Sequence, residues 1–305
     1  TMNVLITGHT GFLGTELVSL LSKTKTNNIY GVSRSISGNF KGRSEYPLNI
    51  TDKDTLTKII SEKNIEVVVH LAGKPTVQDC EKDPYGAFIT NSLGTASVLE
   101  ACRLNDIKKI ISVETDKVYG LQKEEMINEN SDLNPQSPYE YSKAFAADFA
   151  DIYRKYYNMN VISVRPVNLI GGNDPNISRI LPRSFKSITQ KKPIPLYENA
   201  VTSYREFVYV KDVAKSLQTL ILEDPKEKVY NISPGECINI KDFVFKVLEI
   251  TGCDIAPQVI KKDIEFNEIP YQSIEGSRFT KEFNFKFTDI DTVLKESYED
   301  FKQLS

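Results

Sequence analysis

The sequence predicts an α/β protein built on a doubly wound parallel sheet, with a smaller α/β cap from its C-terminal part. Short runs rich in valine and isoleucine alternate with amphipathic stretches through the first two-thirds of the 305 residues. Continuous apolar runs of this length are typical of parallel strands buried on both faces. Because the crossovers between parallel strands are right-handed, amphipathic helices are expected on both faces of the sheet.

Each predicted element follows from its local pattern. Strands are expected at residues 4–7, 29–33, 67–72, 109–115, 161–167 and 228–233. Helices are expected at residues 12–22, 52–63, 84–103, 139–157, 211–223 and 240–250. After about residue 171 this alternation ends, and the segments 171–182 and 191–207 are expected to be rich in loops. The tail 254–305 is polar with scattered aromatic residues. We therefore expect a nucleotide-binding domain formed by residues 1–168 with about 206–233, and a cap domain formed by residues 169–205 and 234–305.

Composition and charge narrow the classes of function. Hydrophobic residues make up 40% of the chain, charged residues 26%, and the formal net charge is -3, so no general attraction to nucleic acid or an anionic membrane is expected. No apolar run approaches the roughly 18 residues of a membrane-spanning helix, and no signal peptide is visible. The four cysteines are scattered without a CxxC pair, which favours a location in the reducing cytoplasm. Since the chain also has only two histidines, no metal site is expected.

The segment VLITGHTGFLG combines a strand, a glycine-rich turn and the start of a helix. Its three glycines follow the spacing GxxGxxG. The first allows a tight turn, the second lets a pyrophosphate approach the backbone, and the third lets the helix pack on the strand. The phosphates would lie at the positive end of the helix that begins near Phe12. This predicts a Rossmann-type dinucleotide site whose contacts from the loop are Gly8, Thr10, Gly11, Phe12, Leu13 and Gly14.

The end of the second predicted strand bears on the choice of dinucleotide. Sites that prefer NAD usually carry an acidic residue there, which binds the ribose 2′-hydroxyl. This chain carries Ser33 and Arg34 instead. An arginine can hold a 2′-phosphate through a planar, bidentate contact. NADP is therefore the expected cofactor, and the alternative is NAD bound beside a solvated arginine.

The segment SPYEYSK places Tyr139 and Lys143 four residues apart, so that both side chains share one face of a helix. A nearby ammonium lowers the pKa of a phenol and lets its oxygen take a proton from an alcohol near neutral pH. Lys143 could also hold the nicotinamide ribose. Together with the strand that ends at Thr115, this pair indicates oxidation of an alcohol to a ketone.

Seven segments resemble the extended short-chain dehydrogenase/reductase family, which includes nucleotide-sugar epimerases and dehydratases. They are TGHTGFLG, HLAG, NSLGT, VETDKVYG, YEYSK, RPVNLIGG and REFVYVKDVA. The resemblance implies a catalytic triad of Thr115, Tyr139 and Lys143. At Asn49 many relatives carry an aspartate directed toward the adenine, and an amide can make a similar contact. The further cofactor contacts that the resemblance implies are Asn49, Ile50, Leu71, Ala72 and Gly73.

The two residues after the triad threonine differ between branches of that family. Simple 4-epimerases typically carry small or neutral residues there, and 4,6-dehydratases usually carry Asp and Glu. Dehydratases resembling those that act on CDP-glucose or UDP-N-acetylglucosamine carry Asp and Lys, as this chain does at Asp116 and Lys117. The resemblance therefore implies a nucleotide-sugar 4,6-dehydratase. The alternative is an epimerase acting at C4 or C2, in which the pair is structural.

The dehydratase reaction explains why two extra ionisable groups are useful. A ketone at C4 of the sugar makes the C5 proton acidic. A base then removes this proton while an acid protonates the departing C6 hydroxyl. The hydride removed from C4 returns to C6, which gives a 4-keto-6-deoxy sugar with no net turnover of the cofactor. Asp116 is the candidate acid and Lys117 the candidate base. The acid must hold its proton and the base must be neutral, which opposes the charges of a simple ion pair, so coupled titration is expected.

A nucleotide-sugar diphosphate needs fixed cations and donors in the cap domain. By the resemblance, Asn168 and Arg205 contact the pyrophosphate. Arg179 and Arg278 are further candidate contacts, with a solvated surface position as the alternative for each. Lys74 borders the site or faces solvent.

The resemblance also bears on assembly. Similar proteins commonly form dimers through the helices that correspond to residues 84–103 and 139–157. We therefore expect a homodimer that binds a nucleotide-sugar substrate, with neither nucleic acid nor membrane as a partner.

Overall fold

A computed structural model of the chain describes residues 2–24, 27–36, 40, 43–122, 126–261 and 271–304. The chain divides into two compact units. Unit 1 comprises Thr1–Gln122, Glu129–Pro166 and Val213–Ile232, and unit 2 comprises Lys123–Asn128, Val167–Asp212 and Ser233–Ser305. The functional division expected from the sequence, into a cofactor domain and a substrate domain, stays a prediction.

The strands and helices are numbered in chain order. The strands are β1 Met2–Thr7, β2 Asn27–Ser33, β3 Ser44–Pro47, β4 Val67–His70, β5 Lys109–Val113, β6 Val161–Pro166, β7 Asn168–Ile170, β8 Pro195–Tyr197, β9 Tyr204–Tyr209, β10 Val229–Ile232, β11 Cys237–Asn239 and β12 Gln258–Ile260. The α-helices are α1 Phe12–Ser22, α2 Lys53–Glu62, α3 Val77–Lys82, α4 Pro84–Ala87, α5 Gly94–Leu104, α6 Pro138–Tyr157, α7 Ile180–Thr189, α8 Val210–Leu222, α9 Ile240–Thr251, α10 Ser277–Phe283 and α11 Ile290–Leu304.

The core of unit 1 is a seven-stranded parallel sheet in the order β10-β6-β5-β4-β1-β2-β3. The central strands β4 and β6 are buried along their whole length, as their continuous apolar sequences predict. The predicted fold class is thereby confirmed. The strand order reverses between β1 and β4, and in open sheets of this kind ligands bind at the carboxyl ends of the strands beside such a reversal.

Strand β3 was not predicted from the sequence. Its four residues, SEYP, are exposed or half-buried, and it pairs only with β2 at the edge of the sheet. An edge strand of this kind carries no apolar run, so the hydrophobic pattern gives no signal.

The predicted helix at 84–103 is present as α4, a π-helical segment Phe88–Leu93 and α5 in succession.

Unit 2 contains two small sheets. One has the strand order β11-β9-β7, with β9 antiparallel to β11 and parallel to β7, and the other pairs β12 with β8. Helix α7 was not predicted from the sequence: only its first three residues fall in a segment expected to be rich in loops. Pro182 lies in its first turn, where proline is tolerated, and Leu181 and Phe185 are buried. In the polar tail, α11 buries Val293 and Leu294, while residues 262–270 lie outside the described residues.

The helices of the chain are short or carry many polar residues. In the described part of the chain, none is both long enough and apolar enough to cross a membrane.

Candidate active site

The glycine turn after β1 is closed by two tight backbone contacts. Gly8 has φ +71° and donates its N–H to the carbonyl oxygen of Val32 at 2.7 Å. A Cβ on Gly8 would lie 2.7 Å from the backbone nitrogen of Ala72, and a Cβ on Gly14 would overlap the carbonyl oxygen of Gly8. These positions require glycine for packing. The turn therefore lies directly against the segment that follows β4 and against the start of α1.

The N-terminus of α1 fits a dinucleotide pyrophosphate. The helix begins at Phe12, after Gly11, and its first turn carries no acidic residue and receives no side-chain cap within the described part of the chain. Its first backbone N–H groups therefore need another acceptor, and an anion suits both these donors and the helix dipole. Thr10 and Leu13 lie in the same turn, and the Thr10 hydroxyl donates to Ser33 Oγ at 3.2 Å.

An acid that the sequence did not reveal lies near the end of β2. Ser33 is half-buried and Arg34 is exposed, as expected for a strand end. Glu45 on the unpredicted strand β3 reaches the glycine turn, where its carboxylate lies 2.7 Å from His9 Nε2. Asn49 is exposed and its side chain accepts a hydrogen bond from the N–H of Thr51 at 3.2 Å. A carboxylate is therefore present near the end of β2, although not in the position that the motif specifies.

The segment after β4 is fixed by the hydroxyl of Thr7. This oxygen accepts hydrogen bonds from the backbone N–H groups of Leu71 and Ala72, both at 3.2 Å, and lies 2.7 Å from Nδ1 of His70. Burial lowers the pKa of His70 to about 3, so its ring is neutral at physiological pH. Gly73 follows with an exposed backbone. The predicted cofactor residues 71–73 are thus held beside the glycine turn.

Asn91, in the π-helical segment, is a positioning residue that the sequence analysis quoted in NSLGT without assigning a role. Its Oδ1 accepts the N–H of Lys74 at 2.7 Å, and its Nδ2 donates to Ser142 Oγ at 2.9 Å. The Ser142 hydroxyl in turn donates to the carbonyl oxygen of Tyr139 at 2.8 Å. π-Helical turns often mark functional sites because they redirect side chains.

Ile50, the remaining predicted cofactor residue, is buried and contacts the start of α5 at Gly94.

Thr115, Asp116 and Lys117 form a compact polar turn shortly after β5. Thr115 precedes a 3₁₀ turn, Asp116–Tyr119, and its Oγ1 accepts the N–H of Lys117 at 3.3 Å and donates to Asp116 Oδ1 at 3.2 Å. Asp116 is 3% exposed, and its Oδ2 lies 3.6 Å from Lys117 Nζ. The Lys117 side chain is 21% exposed. Neither side chain therefore extends freely into bulk solvent.

Helix α6 brings the tyrosine and the second lysine to the same strand end. Tyr139 is buried and packs with Cys80 and Ala87. Lys143, one turn later, donates from Nζ to the carbonyl oxygen of Val113 at 3.0 Å. Burial lowers the pKa of Lys143, and the Glu114 carboxylate opposes this shift. Because Val113 ends β5, the ammonium lies close to the start of the turn that carries Thr115.

A buried polar network supports this turn from behind. Arg165 Nε donates to Glu114 Oε2 at 2.7 Å, and its Nη1 donates to Tyr119 Oη at 3.0 Å. The Tyr119 hydroxyl donates to Asn231 Oδ1 at 2.7 Å, and burial raises the pKa of Tyr119. A buried Glu114–Arg165 pair is costly to break, since either partner alone would leave an uncompensated buried charge. The network holds both ends of the 3₁₀ turn in place.

The predicted substrate residues fall in both units. Lys74, in unit 1, pairs with Asp83 at 2.5 Å. In unit 2, Asn168 on β7 donates to the carbonyl oxygen of Glu206 at 2.9 Å, which places it beside β9, the strand that carries Arg205. The other two unit 2 residues are half-buried: Arg179, which pairs with Asp174 at 3.1 Å, and Arg278, which lies on α10.

The chain is similar in sequence to a known enzyme family. A family model described as the NAD dependent epimerase/dehydratase family matches residues 4–233. The chain belongs to this family. The resemblance drawn from the sequence motifs is thereby confirmed, and the protein is an enzyme of the epimerase/dehydratase family.

Relatives within the family catalyse different reactions. The chain is 28% identical over 275 residues to dTDP-D-glucose 4,6-dehydratase from Dictyostelium discoideum, spanning 81% of this chain but only 62% of that protein. It is 24% identical to GDP-6-deoxy-D-talose 4-dehydrogenase from Aggregatibacter actinomycetemcomitans, covering 97% of each chain. The solved UDP-glucose 4-epimerase of Thermus thermophilus, a complex with NAD, has a TM-score of 0.89 at 23% identity and 99% coverage of both chains. That likeness shows a shared fold.

Proposed function

We propose that this epimerase/dehydratase family member is a nucleotide-sugar 4,6-dehydratase that produces a 4-keto-6-deoxyhexose. The observation that carries the proposal is the Asp116–Lys117 pair, which directly follows Thr115 at the end of β5 and is largely buried. A reaction limited to oxidation and reduction at one carbon needs only Thr115, Tyr139 and Lys143. Two further ionisable groups at this position are explained by a reaction that also removes a proton and a hydroxyl.

The chain's own residues would divide the proton transfers between them. A bound nicotinamide supplies the acceptor and donor of hydride. Tyr139 takes the proton of the C4 hydroxyl, and the Lys143 ammonium favours the phenolate form of Tyr139. Thr115 orients the same hydroxyl. These roles require Thr115, Tyr139 and Lys143 to lie together at the end of β5. The hydrogen bond from Lys143 Nζ to the carbonyl oxygen of Val113 supports that location.

The elimination of water uses the second pair. Once C4 is a ketone, Lys117 in its neutral form removes the C5 proton, and Asp116 donates a proton to the departing C6 hydroxyl, which leaves a double bond between C5 and C6. The hydride taken from C4 would then return to C6, and the proton held by Lys117 would return to C5, which gives the 4-keto-6-deoxy sugar. The Oδ2–Nζ separation of 3.6 Å is short enough for the two groups to act on adjacent carbons of one sugar. The ion pair has to exchange its charges before it can act, with a proton on Asp116 and none on Lys117.

An epimerase remains the second candidate. The similarity to the Thermus thermophilus UDP-glucose 4-epimerase over 99% of the chain supports it. In that case Asp116 and Lys117 would serve as a structural ion pair at the end of β5. The two functions share their first step and differ in whether water is lost.

Product analysis tests the proposal. Purified protein is incubated with a panel of CDP-, UDP-, GDP- and dTDP-linked hexoses, and products are identified by mass spectrometry. A dehydratase yields a ketone lighter than its substrate by one water molecule. A product of unchanged mass with inverted configuration at C4 or C2 would refute the dehydratase function and support the epimerase.

NADP is the proposed cofactor, and NAD is the alternative. The exposed Arg34 at the end of β2 supports NADP, whereas the NAD complex of the Thermus thermophilus epimerase supports NAD. The pyrophosphate contacts proposed for the substrate are Asn168 and Arg205, with Arg179, Arg278 and Lys74 as further contacts.

Arg34→Ala separates the two cofactors. If Arg34 holds a 2′-phosphate, the variant should bind NADP about tenfold to a hundredfold more weakly, because a charge-assisted contact is lost, while its affinity for NAD is unchanged. Calorimetric titration of wild type and variant with both cofactors measures this. A wild type that prefers NAD, with equal affinities in the variant, would exclude the proposed role of Arg34.

A homodimer is proposed on the basis of an aromatic surface on unit 1. Phe88 contacts Phe145 with ring centroids 5.6 Å apart, and Phe145 stacks on Phe149 at 5.4 Å. This aromatic surface, defined by exposed residues of α4, the π-helical segment and α6, comprises Tyr85, Phe88, Leu93, Tyr141, Phe145, Ile152 and Tyr156. Exposed apolar patches of this kind are typical of protein interfaces.

The four free cysteines support a cytoplasmic location.

Phe145→Asp tests the dimer. A carboxylate in the middle of the aromatic surface should weaken association by about a hundredfold or more, because it would be buried without a partner. Light scattering over a range of concentrations measures the mass. Phe245→Asp on α9 is the matched control, since Phe245 is 47% exposed and Phe145 39%. A dimer that survives Phe145→Asp as well as it survives Phe245→Asp would place the interface elsewhere.

A further inference from the structure

Glu206 is a buried carboxylate of unit 2 that has no role in the proposed mechanism. It lies on β9 and is 2% exposed. Its Oε1 accepts the backbone N–H of Ile274 at 2.9 Å, and its Oε2 accepts the hydroxyl of Ser233. Hydrogen bonds to a carboxylate are stronger than those between neutral groups. Glu206 therefore ties β9 to two segments that lie 27 and 68 residues later in the chain.

The segment 271–276, which contains the second of these contacts, packs against β9 and against Ser233. The ring of Tyr271 lies 5.8 Å from the ring of Tyr204, the first residue of β9. A Cβ on Gly276 would overlap the carbonyl oxygen of Ser233, so the two backbones are in close contact there. The hydrogen bonds of the carboxylate therefore join three pieces of backbone that also pack together.

Two of the proposed pyrophosphate contacts lie next to this carboxylate. Arg205 precedes Glu206 on β9, so the two side chains point to opposite faces of the strand. Asn168 on β7 donates from Nδ2 to the backbone carbonyl oxygen of Glu206 at 2.9 Å. The strands on either side of β9, β7 and β11, have three residues each and offer few ladder hydrogen bonds. The side chain of Glu206 therefore adds to the hold on β9 from the face opposite Arg205.

A second buried carboxylate of unit 2 shows what a similar contact does elsewhere. Asp212, in the first turn of α8, is 1% exposed. It accepts the backbone N–H of Thr288 at 2.7 Å and the hydroxyl of the same residue at 3.0 Å. Like Glu206, it binds one N–H and one hydroxyl from a later part of the chain. Asp212 is not adjacent to a proposed pyrophosphate contact, whereas Glu206 is.

We infer that Glu206 is a positioning residue that holds Arg205 and Asn168 in place to receive the pyrophosphate of the substrate. The inference rests on the proposed function, which makes these two residues the pyrophosphate contacts. Contacts that are ordered before the ligand arrives give tighter binding, because less ordering has to occur on association. Loss of the anchor should therefore weaken the binding of a diphosphate. It should not change the binding of the dinucleotide cofactor, whose proposed contacts lie in unit 1.

Glu206→Ala tests the inference by ligand binding. CDP, UDP, GDP and dTDP are titrated into wild type by calorimetry, and the one that binds most tightly is titrated into the variant. We expect binding about tenfold to a hundredfold weaker, because a charge-assisted contact from Arg205 is no longer held in place. Affinity for NAD or NADP should equal that of wild type. In turnover, KM should rise while kcat changes little, as expected for a lost binding contact.

Three further variants complete the experiment. Asp212→Ala is the matched control: its temperature of unfolding should fall as in Glu206→Ala, while its diphosphate affinity stays at the wild-type value. Glu206→Gln keeps the length of the side chain and an oxygen for the N–H of Ile274, so it should restore most of the affinity. If Glu206→Ala does not fold, Ser233→Ala carries the test. It removes one of the two hydrogen bonds and should weaken diphosphate binding by about threefold.

The outcomes separate the inference from the proposed function. Equal diphosphate affinities in Glu206→Ala and Asp212→Ala would overturn the inference and leave Glu206 as a structural residue. Equal losses of diphosphate and cofactor affinity in Glu206→Ala would do the same, as would wild-type affinity in Ser233→Ala where Glu206→Ala does not fold. A wild type that binds none of the four diphosphates would also overturn it. If wild type forms an epimer and Glu206→Ala loses diphosphate affinity, the dehydratase function fails alone.

Discussion

Tyr139→Phe is expected to abolish turnover of every nucleotide sugar while leaving the fold intact. The phenol ring is buried against Cys80 and Ala87, and phenylalanine keeps that packing. Without the hydroxyl, no group with a suitable proton affinity would take the C4 proton, and a general base of this kind contributes about 10²- to 10⁴-fold to the rate. The measurement is the rate of product formation at saturating cofactor, with cofactor binding measured in parallel.

Tyr141→Phe is the matched control for this experiment. Tyr141 lies two residues later on α6 and is 63% exposed, so loss of its hydroxyl should leave the rate unchanged. A wild-type rate in Tyr139→Phe would remove Tyr139 from the mechanism and with it the proposed triad.

Lys117→Ala should separate the two halves of the reaction. The variant keeps Thr115, Tyr139 and Lys143, so oxidation at C4 proceeds and reduced cofactor accumulates on the enzyme. Elimination of water should fall by about 10²-fold or more, because the C5 proton has lost its base. Single-turnover absorbance at the reduced-nicotinamide band follows the first step, and mass spectrometry follows the second.

The control for Lys117→Ala is Lys155→Ala, which removes an exposed ammonium from α6. It should leave both steps at their wild-type rates. Unchanged water loss in Lys117→Ala would end the proposed role of Lys117 as base. Loss of both steps would instead point to a structural role of the ion pair with Asp116.

Much of unit 1 could be predicted because its signals are local. The buried strands are continuous apolar runs. The turn after β1 needs glycine at Gly8 and Gly14, because a Cβ at either position would overlap neighbouring backbone atoms. Strand β3 and its Glu45 could not be predicted, because an edge strand of polar residues is stabilised by its pairing with β2 and leaves no periodic pattern. The acid near the end of β2 was therefore missed.

Other features of the site depend on contacts between distant segments. Asn91 joins Lys74 to Ser142 across 17 and 51 residues of sequence, and no spacing rule signals such a bridge. In unit 2, α7 was missed because the prolines and polar residues around it suggested loops.

The measurement that tests the dehydratase function most directly uses a nucleotide sugar carrying deuterium at C4. The account predicts a product that is lighter by one water molecule, with the deuterium recovered at C6 beside a C4 ketone. A product of unchanged mass that keeps its deuterium at C4 with inverted configuration would contradict it.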